Sequence, residues 1–330
     1  VEIPLETVAA CKLGAYVDCF LYDSTGYEVA MVQLDMGARC QALPVPETAA
    51  EIWETEDAFI AIGDNFRYTL SKRCGQLTSM VKSGGEQLTD RVRLTAMRAP
   101  IDNERRIKGI WYKDTRDWRA EGLDRLFHKC YSCTAQGSTV TVEGALAGIS
   151  HAPFFRFVNR YTFFGDGTVK VTLEGDVREN CVWLPRLGFE FRTPGEKDAF
   201  RYYGRGELEN YCDMHYHTRV GFYESNADRE YVNYIMPQEH GNHTAVKLLQ
   251  MQDGLTFRSN VGFECNVSHY GAMQLMRAMH TDELVKEQDT IIRIDYKNSG
   301  VGSNSCGPDM LEKYRLCEKR IEGFEFYISL

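Results

Sequence analysis

Polar residues able to do chemistry gather at four places, each beside glycine or proline, the residues that set turns and let backbone approach a ligand. "YYGRGELENYCD" (202–213) puts Glu207 and Glu209 two apart, on one face if the run is extended, followed by Asn210. Paired carboxylates perform glycoside hydrolysis, but only at a defined separation across a sugar. Two neighbours on one strand equally make a solvated acidic edge. "YIMPQEHGNHT" (234–244) crowds Gln238, Glu239, His240, Asn242 and His243 around Gly241. Five hydrogen-bonding side chains after a proline turn could recognise sugar hydroxyls, or satisfy one another at a strand junction. "MRAPIDNERR" (97–106) sets Arg98, Asp102 and Asn103 about Pro100, as a polar groove rim or as a strand ending in a capped turn. "KNSGVGSNSCGP" (297–308) reads as an exposed, contorted loop carrying Ser303, Asn304, Ser305 and Cys306.

Other chemistries find little support. No histidine spacing makes a metal triad, and no nucleophile elbow, Walker loop or zinc-protease helix occurs, so no metal and no cofactor are expected. The eleven cysteines are odd in number and follow no framework spacing, so reduced thiols are expected. Cys130 and Cys133 form a C-x-x-C without a second ligand pair, which suits ordinary thiols better than zinc. A net charge of -9 with no basic run argues against a nucleic-acid or anionic-membrane partner. No apolar run reaches the roughly 18 residues of a membrane span. The chain starts in strand-like sequence without Met or a signal peptide, as a fragment of something larger would, which leaves the compartment open.

The elements that position these clusters are strands. Apolar and polar residues alternate at Phe66, Tyr68, Leu70; at Val140, Val142; at Val169, Val171, Leu173; and at Leu187, Phe189, Phe191. The same holds at Ile292, Ile294, Tyr296 and at Phe324, Phe326, Ile328. Such runs are half-buried antiparallel strands. Turn signals at Asp64-Asn65, Ser83-Gly84-Gly85, Gly165-Asp166-Gly167 and Asp253-Gly254 separate them. Only "GAMQLMRAMH" and the region around Trp118 read as helical. The fold class is all-β, a large sandwich, with no βαβ alternation and therefore no TIM barrel. The Pro-containing, acidic run 42–57 suits a linker. Residues 1–45 then form the last strands of a preceding domain plus linker, and 46–330 one large domain.

Taken in order, "MRAPIDNE", "WRAEGL", "LPRLGFEF", "YYGRGELENYCD", "MPQEHGNHT", "FECNVSHYGAMQLMRAMH" and "GVGSNSCGP" resemble the C-terminal small-chain domain of family 2 glycoside hydrolases of the β-galactosidase type, over roughly 51–330. The chain departs from the family pattern at Glu207-Leu208, in the G-P-x-E-N-Y stretch, and at His240, where Asn is frequent. The resemblance implies a galactose mutarotase-like β-supersandwich, preceded by the end of an immunoglobulin-like domain. It also implies that the catalytic glutamates lie on an upstream TIM-barrel domain, so no catalytic residue is expected here. The parent would hydrolyse terminal β-D-galactosides with retention, as a homo-oligomer. The module would lend a wall to the active site through Ser303, Asn304, Ser305 and Cys306, Cys306 standing where the best-known branch offers a tryptophan. Arg98, Asp102, Asn103, Glu209, Asn210, Glu239, Asn242 and His243 are possible groove-lining residues. A free-standing carbohydrate-binding module is the alternative. An aldose epimerase pairing His240 or His243 with Glu209 is a third reading.

Overall fold

The computed structural model describes residues 13–37, 42–105, 112–302 and 310–330. A hairpin opens it, β1 (Tyr16–Tyr22) with β2 (Glu28–Asp35). A five-stranded meander follows: β3 (Glu51–Glu54), β4 (Ala58–Ile62), β5 (Phe66–Ser71), β6 (Gln76–Lys82) and β7 (Gly85–Glu86). Next come β8 (Asp90–Thr95), helix α1 (Lys113–Glu121), β9 (Leu126–Gln136), β10 (Thr139–Gly148), β11 (Phe155–Phe163) and β12 (Val169–Val177). The remainder is β13 (Arg186–Pro194), β14 (Ala199–Gly206), β15 (Arg219–Asn226), β16 (Asn242–Met251), β17 (Thr256–Ser268), α2 (Ala272–Arg277), β18 (Asp289–Asn298) and β19 (Arg320–Ser329). The chain is all-β as expected, and among the described residues α-helix occurs only around Trp118 and in "GAMQLMRAMH", beside four single 3-10 turns. One expectation fails: β3 lies inside the run read as a linker, and pairs with β4 from Glu51 to Glu54.

Among the described residues all strand pairs are antiparallel, and twelve strands form one hydrogen-bonded system in two layers. One layer runs β15-β14-β16-β17-β18-β13-β8, the other β17-β19-β12-β11-β10-β9. β17 serves both. Thr256 to Arg258 pair with β19, and Glu264 to Ser268 pair with β18. Between them Ser259 Oγ accepts from the Val261 and Gly262 amides and bends the strand.

Period-2 alternation explains the packing. On β13, Leu187, Phe189 and Phe191 point inward, where Phe189 meets Phe324 and Phe326 of β19 at 6.3 and 5.5 Å. Phe191 meets Phe257 edge-on at 4.9 Å. These rings join the layers, each adding roughly 1 kcal/mol beyond its buried area. The alternate residues of the same strands build a polar network on the opposite face. Gly188 leaves no side chain there, and the Asp295 carboxyl fills the space, 2.5 Å from Arg186. Arg293 bridges Glu190 (3.2 Å) and Asn266 (2.6 Å).

Cys130 and Cys133 lie on β9 as free thiols, separated by a register shift against β10. Burial, with Cys130 nearby, pushes the Cys133 thiol up to about 12, so it stays protonated and unreactive at neutral pH.

Candidate functional site

The loop of residues 97–105 is built from beneath by Arg98. Its guanidinium is fully buried and holds both carboxylate oxygens of Glu104, at 2.8 and 2.9 Å. It also donates to the carbonyls of Ala99 (3.0 Å) and Gly300 (3.2 Å) and stands over the Trp118 ring. The turn at 238–241 secures the loop from the side: Glu239 accepts from the Ala99 amide, and Gln238 Oε1 from the Asp102 amide. Arg98 thus ties three segments of distant sequence to one point.

Above this base lies a hollow of about 300 Å³, whose lining includes Asp102, Asn103, Tyr211, Tyr234, Glu239 and Val301. The Tyr211 hydroxyl has no hydrogen-bond partner among the described residues. Burial, with Glu209 and Glu239 nearby, raises its pKa well above the usual value, so it remains an O–H donor. The exposed Asp102 and half-buried Asn103 therefore offer the hollow a carboxylate and an amide, group types that bind sugar hydroxyls, while the Tyr211 hydroxyl is buried in its wall.

The polar loop begins at the rim of this hollow. Asp213 accepts from the Val301 and Gly302 amides at 2.9 and 3.0 Å. Gly300 is required by this clamp, because a Cβ there would lie 2.4 Å from the Asp213 carboxyl. Ser303, Asn304, Ser305 and Cys306 lie outside the described residues.

The eight remaining candidates divide. Asp102, Asn103 and Glu239 share the hollow. Arg98, Asn210, Asn242 and His243 line no groove; each is at most 1% exposed and spent internally. Asn210 Nδ2 donates to the Arg205 and Leu208 carbonyls, while its Oδ1 accepts from the Thr244 amide and hydroxyl. Asn242 donates to Glu264 and to the Asn210 carbonyl. His243 pairs with Glu230 at 2.7 Å and with the Tyr202 hydroxyl at 3.1 Å. Glu209 is held by the Tyr234 hydroxyl and the Gly241 amide, so both its oxygens are committed. His240 is also buried, and its Nδ1 faces the Gln238 carbonyl. Among the described residues neither His240 nor His243 hydrogen-bonds the Glu209 carboxylate, as the epimerase reading would need. Asp213, Tyr211 and Gly300 escaped notice because each is an ordinary residue until the fold brings 211–213 against 300–302.

Residues 62–330 match the family model described as "Beta galactosidase small chain". Among relatives, a β-galactosidase of Actinobacillus pleuropneumoniae is 29% identical over 84% of this chain and 27% of its own length. A β-galactosidase of Kluyveromyces lactis is 27% identical over 99% of this chain and 33% of its own. The chain spans about a quarter to a third of the length of these relatives. Among solved structures, a putative aldose 1-epimerase of Escherichia coli K12 covers 85% of this chain and 98% of its own, at 10% identity and a TM-score of 0.41, and no functional likeness follows from it. With its sequence matched over most of its length, the chain belongs to the β-galactosidase small-chain family.

Proposed function

We propose that this chain supplies a wall, and not the catalytic carboxylates, of a site that hydrolyses terminal β-D-galactosides with retention. The observation that carries this reading is the hollow lined by Asp102, Asn103 and Val301, where Val301 lies two residues before the segment 303–309. The three glutamates of the sequence clusters do not form a retaining pair. Glu209 and Glu239 are bound to the scaffold, and Glu207 is an exposed side chain near Arg229. The acid/base and the nucleophile come from a larger catalytic part, which the family's "small chain" description implies.

The test is hydrolysis of a chromogenic β-galactoside. The isolated chain is expected to give no turnover above background, and the parent containing the upstream part to give full turnover. Turnover by the isolated chain would sink the proposal. In that parent, Cys306→Trp is expected to change KM unequally across aglycones, because an aromatic ring adds stacking on the order of 1 kcal/mol that depends on what it faces. A uniform response, or none, would show that the loop is not part of the wall.

The β1–β2 hairpin supports a domain upstream. Its Asp18/Gln33 face packs on β15, where Gln33 exchanges two hydrogen bonds with Val220. The other face carries Val17, Cys19 and Leu21 opposite Leu34, Val32 and Ala30, with Leu21, Val32 and Leu34 each about half exposed. An apolar sheet face of this kind is half of a sandwich. We assign it to the end of the immunoglobulin-like domain preceding residue 46. Leu21→Ser with Val32→Ser is expected to improve solubility of this chain and to destabilise the longer parent. An equally stable parent would argue against the assignment.

A further inference from the structure

We propose that Asp198, Asp228 and His269 form a binding site for a first-row divalent cation, Mn²⁺ or Zn²⁺, at one end of the β15-β14-β16-β17 layer. Their candidate ligand atoms all lie within 4.8 Å of one another. The topology brings them together. Asp198 immediately precedes β14, Asp228 follows β15, and His269 follows β17. Ala199 and Asn226 are paired across β14 and β15, which places the two aspartates side by side at the same strand ends.

His269 is the defining member. Its ring is buried, and its Nδ1 lies 2.9 Å from the Asp289 carbonyl. A carbonyl only accepts, so Nδ1 carries the hydrogen, and Nε2 faces Asp198 Oδ2, 3.1 Å away. A lone pair and a carboxylate oxygen face each other at that distance only with a cation between them, a proton or a metal ion. The carbonyl behind Nδ1 is the outer partner that metal-ligating histidines ordinarily have. Metal–ligand bonds of about 2.1 Å place two ligands at right angles about 3.0 Å apart and opposed ligands about 4.2 Å apart. The 3.1 Å between His269 Nε2 and Asp198 Oδ2 falls within that range, and no pair of candidate ligand atoms is more than 4.8 Å apart.

Charge points the same way. Two carboxylates meet here, and one cation is already drawn to them: Lys286 Nζ lies 2.6 and 2.7 Å from the two oxygens of Asp228. The ammonium competes for Asp228, and a divalent ion with one imidazole and two carboxylate ligands would displace it. Asp228 is mostly exposed and Asp198 partly so, which gives the ion an entry path and room for water in its remaining positions. One nitrogen and two carboxylate oxygens suit Mn²⁺ or Zn²⁺ better than Ca²⁺ or Mg²⁺, which prefer all-oxygen sites.

The test uses Mn²⁺ alone, because thiols elsewhere in the chain compete for Zn²⁺. The chain is stripped with a chelator, and free Mn²⁺ is followed by its EPR signal. One saturable Mn²⁺ per chain is expected. His269→Ala and Asp198→Asn are each expected to weaken it by ~10-fold or more. Lys286→Ala is expected to tighten it several-fold by removing the competing ammonium, in a residue exposed enough to leave folding intact. Saturable binding that His269→Ala and Asp198→Asn leave unchanged would overturn the site. So would the absence of saturable binding up to millimolar Mn²⁺, or weaker binding in Lys286→Ala.

Discussion

Arg98→Met is expected to destabilise the chain by about 3–5 kcal/mol, because it leaves the Glu104 carboxylate buried without its cation. The pair is sealed, with side-chain exposures of 0% and 6%, so water cannot substitute for the guanidinium. Burial alone would lower the Arg98 pKa, yet Glu104 more than offsets it and the net shift is upward. Chemical denaturation measures the loss. Hydrogen exchange localises it, with residues 99–105 and 298–302 expected to exchange first, since Arg98 binds both. Arg98→Met combined with Glu104→Leu should recover much of the stability, because no charge is then stranded. A single-mutant loss below about 1 kcal/mol would mean that the pair contributes little. In the longer parent, the single mutant is expected to lose hydrolysis before it loses the rest of the fold, as Arg98 positions the hollow and the entry to the 303–309 loop.

The second large effect is a fall in stability as pH rises from mildly acidic to neutral. Glu264 is buried, and burial lifts its pKa from 4.5 to about 7; the hydrogen bonds from Asn242 and Asn298 oppose the lift without cancelling it. A group whose folded pKa is raised binds its proton more tightly folded than unfolded. Its contribution is complete below 4.5 and is lost as pH climbs to about 7. The lift corresponds to something on the order of 3 kcal/mol. Asp295, raised from 3.8 to about 6 by burial against the opposing pull of Arg186, adds a loss of the same sign over a lower window. Glu264→Gln, which stays neutral at every pH, should flatten the profile between pH 5 and 8 and be more stable than the wild type at pH 8. Equal slopes in the two proteins would show that Glu264 carries no such load.

Phe189, Phe191 and Phe324 could be read as strand residues because their alternation with Glu190, Arg192 and Glu325 has no other economical explanation. β3 could not be read that way. It is an edge strand with Trp53 and both of its glutamates exposed, and an edge needs no apolar face. The site was half legible for a related reason. Asp102 and Asn103 beside Pro100 mark a turn, and turns lie at surfaces. Asn210, Asn242 and His243 have the same composition as a surface cluster, yet they bond backbone groups inside the sandwich, His243 with the Arg205 carbonyl. Residue type alone does not separate a buried polar network from a groove, because both need the same donors and acceptors. The Asp198, Asp228 and His269 cluster left no trace in the sequence at all, since its members come from three separate strand ends.

The position of β19 sets the order in which this molecule can come into being on the ribosome. β12 carries one open edge until Val169 meets Ile328 and Leu173 meets Phe324. β17 in turn needs Tyr327 to Ser329 beside Thr256 to Arg258. Both partners lie in the last strand of the described chain to be synthesised. Until that strand emerges, β12 and the first half of β17 expose unpaired backbone and apolar side chains such as Val171, Leu173 and Phe257, the condition in which nascent β-proteins associate with one another. Closure is therefore a late step with a high entropy cost in loop formation. Yield in the cell should depend on how long the unfinished chain is shielded as much as on how stable the finished one is.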